Sequence, residues 1–410
     1  MLQKSIVQQR CGTPFHERTS KLTQTTWWYG WSQYLIPDVF STVEEEVAAI
    51  RTAVAMIDMS PLPKVDFKGP DAIRFFDYLT VRSMAKNSIG HVQYTCWTNE
   101  KGALITDGLG FRLAEDHILV SSDTSINWFR QNAKGFDVEL VDRTDDYGVL
   151  SLQGPQSRAV LTDATGEDWS DFPFCRIRHV MIGGAQVFVA RQGFTGELGY
   201  EIWVNRTDGT TVWDAIWQAG LAYGVKPAGE YALDVARMEA GLTLASSDYT
   251  NIGPDGRSAH VVVRPDETSS PFEVGLGGLV HVNKGDFIGR AALTAEKETG
   301  PKRRFVGLEL EWQDIVDHYA AKGLPPEIAP RVRWDAMKAQ SDGKTIGRAT
   351  SATWSPTLDK LIAFGCIDID LTETGTQIVV DWTDQWGKPV GSVRARVVDL
   401  PFITVARATA

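Results

Sequence analysis

The sequence predicts an α+β protein of two or three domains, on three observations. Its 410 residues exceed what one domain usually holds. A strand, a helix, a hairpin, a strand and a helix follow one another over residues 64–133, the succession of a ferredoxin-like module. After Pro301-Lys-Arg-Arg304 the pattern turns to short strands divided by Gly and Pro, which fits a small terminal β-barrel.

Taken in order, residues 1 to about 50 read as a leading segment and a helix, capped at Ser41-Thr-Val-Glu44 with residues 45–55 as its body. Residues 64–69 alternate like a strand, and residues 71–79 have helical spacing behind Pro70. Residues 92–98 and 103–113 make a hairpin about the turn Asn99-Glu-Lys-Gly102, followed by a strand at 118–122 and a helix at 125–133. Residues 149–153 resume a strand, 156–162 a helix and 187–204 a glycine-rich hairpin. Apolar spacing of three and four marks helices at 211–223 and 230–241. Residues 246–270, rich in Gly, Pro, Asp and Ser, read as a long surface loop, a class often tied to function.

Composition excludes several classes. A net charge of −11 argues against a broad nucleic-acid surface, so an anionic small ligand has to be met by local arginines. No apolar run reaches membrane-spanning length and residues 1–9 are polar and mixed, so no membrane association is expected and the cytoplasm is the expected location. Cys11, Cys96, Cys175 and Cys366 form no C-x-x-C pair and read as reduced, buried, small hydrophobes. The seven histidines lack H-x-x-x-H spacing, so no metal is expected. Fourteen tryptophans point to large cores or to pockets for flat ligands.

The most informative stretch is Arg191-Gln-Gly-Phe-Thr-Gly-Glu-Leu-Gly-Tyr-Glu201. Its three glycines let backbone approach something closely. Glu197 can accept two N–H donors from an amidine-like edge, and Phe194 and Tyr200 offer flat surface to a ring, a combination that suits a pterin. Read alone, the stretch is equally a hairpin turn with solvated charges.

Further motifs follow in fixed order: Thr13-Pro-Phe-His-Glu17, Ile57-Asp-Met-Ser60, Lys101-Gly-Ala-Leu-Ile-Thr-Asp-Gly108, Leu152-Gln-Gly-Pro155, Arg237-Met-Glu-Ala-Gly241, Asp286-Phe-Ile-Gly-Arg290 and Trp354-Ser-Pro-Thr-Leu358. With the glycine-rich stretch they resemble the glycine-cleavage T-protein (aminomethyltransferase) family over essentially the whole chain. Thr106-Asp107-Gly108, the segment 312–319 and the ending 393–402 look closer to its tetrahydrofolate-dependent O-demethylases of the vanillate and syringate type. Pro61-Leu62-Pro63 departs from those, which carry a histidine pair there.

The resemblance implies a three-domain ring: residues 1–60 with 145–295, then 61–144, then a barrel over 300–410. It implies tetrahydrofolate as methyl acceptor, a small methoxylated aromatic acid as methyl donor, and no lipoyl-protein partner. An S- or N-demethylase of dimethylsulfoniopropionate, dimethylglycine or a similar osmolyte is the alternative, and glycine-cleavage aminomethyl transfer the third. The carried-over roles are a catalytic carboxylate at Asp107, otherwise a turn-capping aspartate, and a pterin anchor at Glu197. Tyr94, Ser122, Tyr200, Arg191 and Phe194 are expected around the folate, with Arg237 either there or in a structural ion pair. Trp28, Tyr29 and Trp31 are candidates for the methyl donor, by stacking or cation–π contact, and Tyr249 for a hydrogen bond to the leaving oxygen.

Overall fold

Strand-length apolar runs become the rows of three sheets, one of them a two-stranded hairpin, and a barrel. The computed structural model describes residues 10–123, 126–249, 268–327, 331–384 and 386–407. Most of the loop expected at 246–270 therefore lies outside the described residues. Two compact units result, one within Met1–Lys64, Asp142–Ala236 and Ala406–Ala410, the other within Val65–Val141 and Arg237–Val405.

The first unit holds a six-stranded sheet in the order Ile177–Ile182, Ala185–Ala190, Gly199–Asn205, Tyr147–Gln153, Ala55–Asp58 and Lys226–Ala228. All neighbours are antiparallel except the last pair. Helices Ser157–Thr165 and Gly209–Gly220 bring Val160, Leu161, Trp213 and Ile216 into one core with Leu152 and Ile202 of the strands. The glycine-rich hairpin is present, with Ala190 opposite Glu201. Helix Val43–Thr52 starts where its cap was expected, Thr42 accepting the Glu45 N–H, and ends sooner because the chain enters the strand Ala55–Asp58. Residues read only as a leading segment contain a hairpin, Trp28–Trp31 against Tyr34–Pro37. Its aromatic residues hide the period-two signal, because both faces are large and apolar.

Two buried charges tie this unit together. Glu46, with 0% exposure, accepts N–H groups from Phe40 at 2.6 Å, Ser41 at 2.9 Å and Gly229 at 2.7 Å. It thereby closes the helix start onto the strand Lys226–Ala228. Lys64 is also fully buried, its Nζ donating to the carbonyls of Ser60 at 2.8 Å and Leu62 at 2.7 Å. Burial pushes the Lys64 ammonium down to about 7 and the Glu201 carboxyl up to about 7.

The second unit holds a five-stranded sheet ordered Val92–Thr98, Leu104–Ala114, His117–Ser121, Lys64–Lys68 and Glu139–Asp142. Helices Ala72–Leu79 and Ile126–Asn132 cover it through Phe75, Phe76, Trp128 and Phe129. This is the expected ferredoxin-like succession with one additional strand, Glu139–Asp142, which follows the second helix and pairs at the sheet edge. The expected barrel closes from six strands: Arg303–Leu310, Lys360–Asp368, Lys344–Ser355, Met337–Ser341, Gln377–Thr383 and Pro389–Val398. Helix Trp312–Ala320, which strand patterns alone do not announce, plugs the barrel with Ile315 and Tyr319.

Among the described residues no helix is long and apolar enough to cross a membrane. Cys96 and Cys366 are buried as expected, but Cys11 is exposed and Cys175 half-buried. Cys11 fails the expectation because it pairs through its backbone with Gln33 and Leu35 along the outer edge of the aromatic hairpin, away from the core clusters.

Replacing Glu46 by Ala strands three buried N–H donors and should cost about 3 kcal/mol, read by urea denaturation. Loss of under about 1 kcal/mol contradicts this role. Because the Glu201 carboxyl rises from 4.5 to about 7, the stability it contributes is complete below pH 4.5 and lost as pH climbs through 7. Glu201→Gln should therefore melt about 3 °C or more above the parent at pH 8 and gain nothing at pH 5. An equal shift at both pH values refutes the linkage.

Candidate active site

Strand Leu104–Ala114 opens in its middle: Asp107, Gly108 and Leu109 are all partly exposed between buried neighbours. The register sets Asp107 opposite Cys96 on strand Val92–Thr98, so Tyr94, two residues along, is the diagonal neighbour on the same face. Its hydroxyl donates to Asp107 Oδ2 at 2.7 Å. The Tyr249 hydroxyl donates to the other carboxyl oxygen, Oδ1, in a short hydrogen bond. One carboxylate is thus held between two phenols from segments distant in sequence.

Electrostatics follow from this enclosure. Burial pushes the Asp107 carboxyl up, the two phenols oppose the rise by stabilising the ionised form, and the charge of Asp248 adds to it. Burial and then Asp107 push both phenols well above the ordinary tyrosine range. The same causes raise the Cys96 thiol. Asp107 therefore binds a proton more readily than an ordinary aspartate, while neither tyrosine releases one readily. Such an arrangement can accept a proton at the carboxyl and return it.

Tyr249 is placed differently from the sequence expectation. It is 1% exposed, and its ring packs with Val81, Cys96, Leu104 and Val280. Its hydroxyl serves Asp107, so its influence on a leaving oxygen runs through that carboxyl.

In the first unit the glycine-rich turn has an inward explanation. A Cβ at Gly193 would lie 2.0 Å from Gln153 Oε1, and one at Gly199 would lie 2.2 Å from the same atom. The close approach these glycines permit is to Gln153, which also bonds Ser151, the Gln192 carbonyl and Thr195. Glu197 rises from this base. Its Oε1 takes Arg51 Nη1 at 3.0 Å, and Arg51 in turn holds the carbonyls of Thr195 at 2.6 Å and Ala236 at 2.8 Å. The other Glu197 oxygen has no hydrogen-bond partner among the described residues, and its side chain keeps 14% exposure. A carboxylate braced on one side and open on the other fits the two-donor edge of a pterin. Arg51 lies 146 positions away, at the end of the first capped helix, and no local pattern singles it out.

The remaining candidates divide. Phe194 is half-buried in the turn with no ring partner among the described residues. Tyr200 instead points into the core, stacked on Phe172 at 6.4 Å and edge-on to Trp169 at 5.9 Å. The strand register fixes this, because Tyr200 lies opposite the core residue Leu152. Arg191 is 6% exposed and holds the Phe172 carbonyl at 2.7 Å, so it braces the turn. Ser122 is buried against Gly108 beside Asp107. Arg237, fully buried, takes the ion-pair option, 2.6 Å from Asp248. Trp28 faces His16, whereas Tyr29 and Trp31 share the other face of their half-buried strand, 6.4 Å apart.

Comparison with known proteins agrees with this architecture. Residues 15–255 match the GCVT N-terminal domain, and residues 303–403 match the glycine cleavage T-protein C-terminal barrel domain. Aminomethyltransferases of Lysinibacillus sphaericus (strain C3-41) and Bacillus subtilis (strain 168) are 32% and 31% identical to it, over 90% and 91% of this chain and 93% of their own length. The crystal structure of the glycine cleavage system aminomethyltransferase T from Bartonella henselae has the same fold, with a TM-score of 0.77 at 23% identity over 96% of this chain and 98% of that one. The chain belongs to the glycine-cleavage T-protein (aminomethyltransferase) family.

Proposed function

We propose that this protein is a tetrahydrofolate-dependent demethylase that takes the methyl group of a small methoxylated aromatic acid. The observation that carries the reading is Asp107 held between the Tyr94 and Tyr249 hydroxyls. Family membership supports the coarser part, one-carbon transfer to tetrahydrofolate. The open oxygen of Glu197, with Phe194 beside it in sequence, is suited to hold the pterin.

When bound, tetrahydrofolate supplies a nucleophilic ring nitrogen that carries one proton. The overall change is balanced: an aryl methyl ether and an N–H become a phenol and an N–CH3, with no redox step. Between those ends one proton has to travel from nitrogen to oxygen. Asp107 is the group fitted to carry it, since burial raises its affinity for that proton. Tyr94 and Tyr249 keep the carboxyl oriented while it changes charge.

A sulfonium or quaternary ammonium donor leaves as a neutral thioether or amine and needs no proton. The Tyr29–Trp31 face suits such a cation, and this makes it the second reading. Aminomethyl transfer, the activity named for the bacterial relatives, remains third.

Incubation with tetrahydrofolate and a panel of methoxybenzoates should yield 5-methyltetrahydrofolate, detected by chromatography. Product from dimethylsulfoniopropionate or dimethylglycine and none from any aryl ether sinks the O-demethyl assignment. Asp107→Asn should bind folate normally and lose about 100-fold or more in kcat; unchanged turnover removes its catalytic role. Glu197→Gln should weaken folate binding roughly tenfold or more in a fluorescence titration, as expected when a charge-assisted contact is lost. Unaltered affinity refutes the anchor.

A further inference from the structure

The turn that delivers Tyr249 is built around another buried acid. Asp248 is 0% exposed and its carboxylate is fully supplied with donors. Oδ2 accepts Arg237 Nη1 at 2.6 Å and the Leu244 N–H at 2.8 Å. Oδ1 accepts the Thr350 hydroxyl at 2.9 Å and the Ser351 hydroxyl in a shorter bond. Arg237 also donates to Ser351 Oγ at 2.8 Å, and Ser247 shares a hydrogen bond with that same hydroxyl at 2.7 Å.

Thr350 and Ser351 belong to the barrel strand Lys344–Ser355, at a defect in its pairing. The register with strand Lys360–Asp368 shifts between Thr350 and Thr353, and Ser351 has a left-handed φ of 51°. In a regular strand successive side chains point to opposite faces. The bulge lets two consecutive hydroxyls reach one carboxylate. Left-handed backbone at a non-glycine residue is costly and persists where its surroundings require it.

Resting on the demethylase reading above, we infer that Asp248 is a positioning residue: the barrel bulge grips it, and through it fixes the neighbouring Tyr249 hydroxyl on Asp107. The 244–249 turn is closed by the Asp248 N–H to the Leu244 carbonyl at 2.9 Å and the Ser246 N–H to the Tyr249 carbonyl at 2.9 Å. Tyr249 has little freedom once Asp248 is held. A buried ion pair is weak evidence for stability, and its best-attested use is to fix one arrangement among several. The groups facing Asp107 are Tyr94 and Cys96 on the adjacent strand, Tyr249, and Asp248 behind it.

The direction of the effect is set by the contacts. Tyr249 donation lowers the proton affinity of Asp107, so loosening Tyr249 should raise it. Removing Asp248 itself opposes this rise, because the lost charge is one that raises the Asp107 proton affinity. Ser351→Gly keeps every charge, removes one hydroxyl and suits the left-handed backbone.

The test follows the Asp107 carboxyl by carbon-13 NMR in full-length protein with labelled aspartate, its signal assigned by loss in Asp107→Asn. Ser351→Gly should move the Asp107 midpoint upward, Tyr249→Phe at least as far, and the double variant no further than Tyr249→Phe. In turnover, Ser351→Gly should lower kcat about tenfold at unchanged KM, what one misplaced hydrogen bond to an ionised group is worth in rate. In a Tyr249→Phe background it should change kcat no further. An unmoved midpoint in Ser351→Gly, or shifts that add in the double variant, overturns the inference. If Ser351→Gly does not fold, Thr350→Val removes the other hydroxyl on the same oxygen and is read by the same outcomes. The titration needs no turnover, so a parent that titrates as expected yet demethylates nothing refutes the demethylase reading and leaves the positioning role standing.

Discussion

A carboxylate taken out of water has to be given donors, and much of this fold is arranged to provide them. Glu46 gathers three backbone N–H groups from two separate segments, Glu197 is braced by a guanidinium, and Asp248 fills every site on its two oxygens. Asp107 is the instructive case. Its partners are phenols, weak acids that satisfy the ionised form without supplying a positive charge, and burial raises its proton affinity. Burial raises that of Glu46 as well, against its three amides, but Glu46 closes a helix onto a strand. Asp107 lies at a partly exposed stretch of its strand, where a change of charge can serve a ligand.

Much of the architecture is legible in local pattern. Thr42 caps its helix and the Asn99–Gly102 turn joins its hairpin because each depends on neighbours a few residues away, and the short strands that make the barrel show their own pattern although its closure pairs residues as distant as Gly307 and Val398. The aromatic hairpin at 28–37 is not, since its two faces are equally apolar and no alternation survives. Helix Trp312–Ala320 is hidden by the strand-rich sequence around it, although Glu311 caps it through the Gln313 N–H.

The candidate site is legible by residue more than by role. Asp107 and Tyr94 lie together because one hairpin register carries both. Tyr249 reaches them across 142 positions, Arg51 reaches Glu197 across 146, and neither pairing has a local signature. The role of Tyr200 was obscured by its place in a glycine-rich motif. Counting in twos from the inward residues Ile202 and Val204 marks it as core. Arg237 sits in a conspicuous motif too, and its partner Asp248 comes from a turn whose shape only tertiary structure supplies.

The Gln153 side chain under the glycine-rich turn has a consequence for how this surface can change. Gly193 and Gly199 lie against the same amide oxygen, one before and one after the bend that carries Glu197. The two ends of the turn and the floor beneath them are one mechanical part. A substitution at any of the three positions is transmitted to the other two before it reaches the open face, so the ligand-facing side chains can vary one at a time whereas the support beneath them can change only as a set.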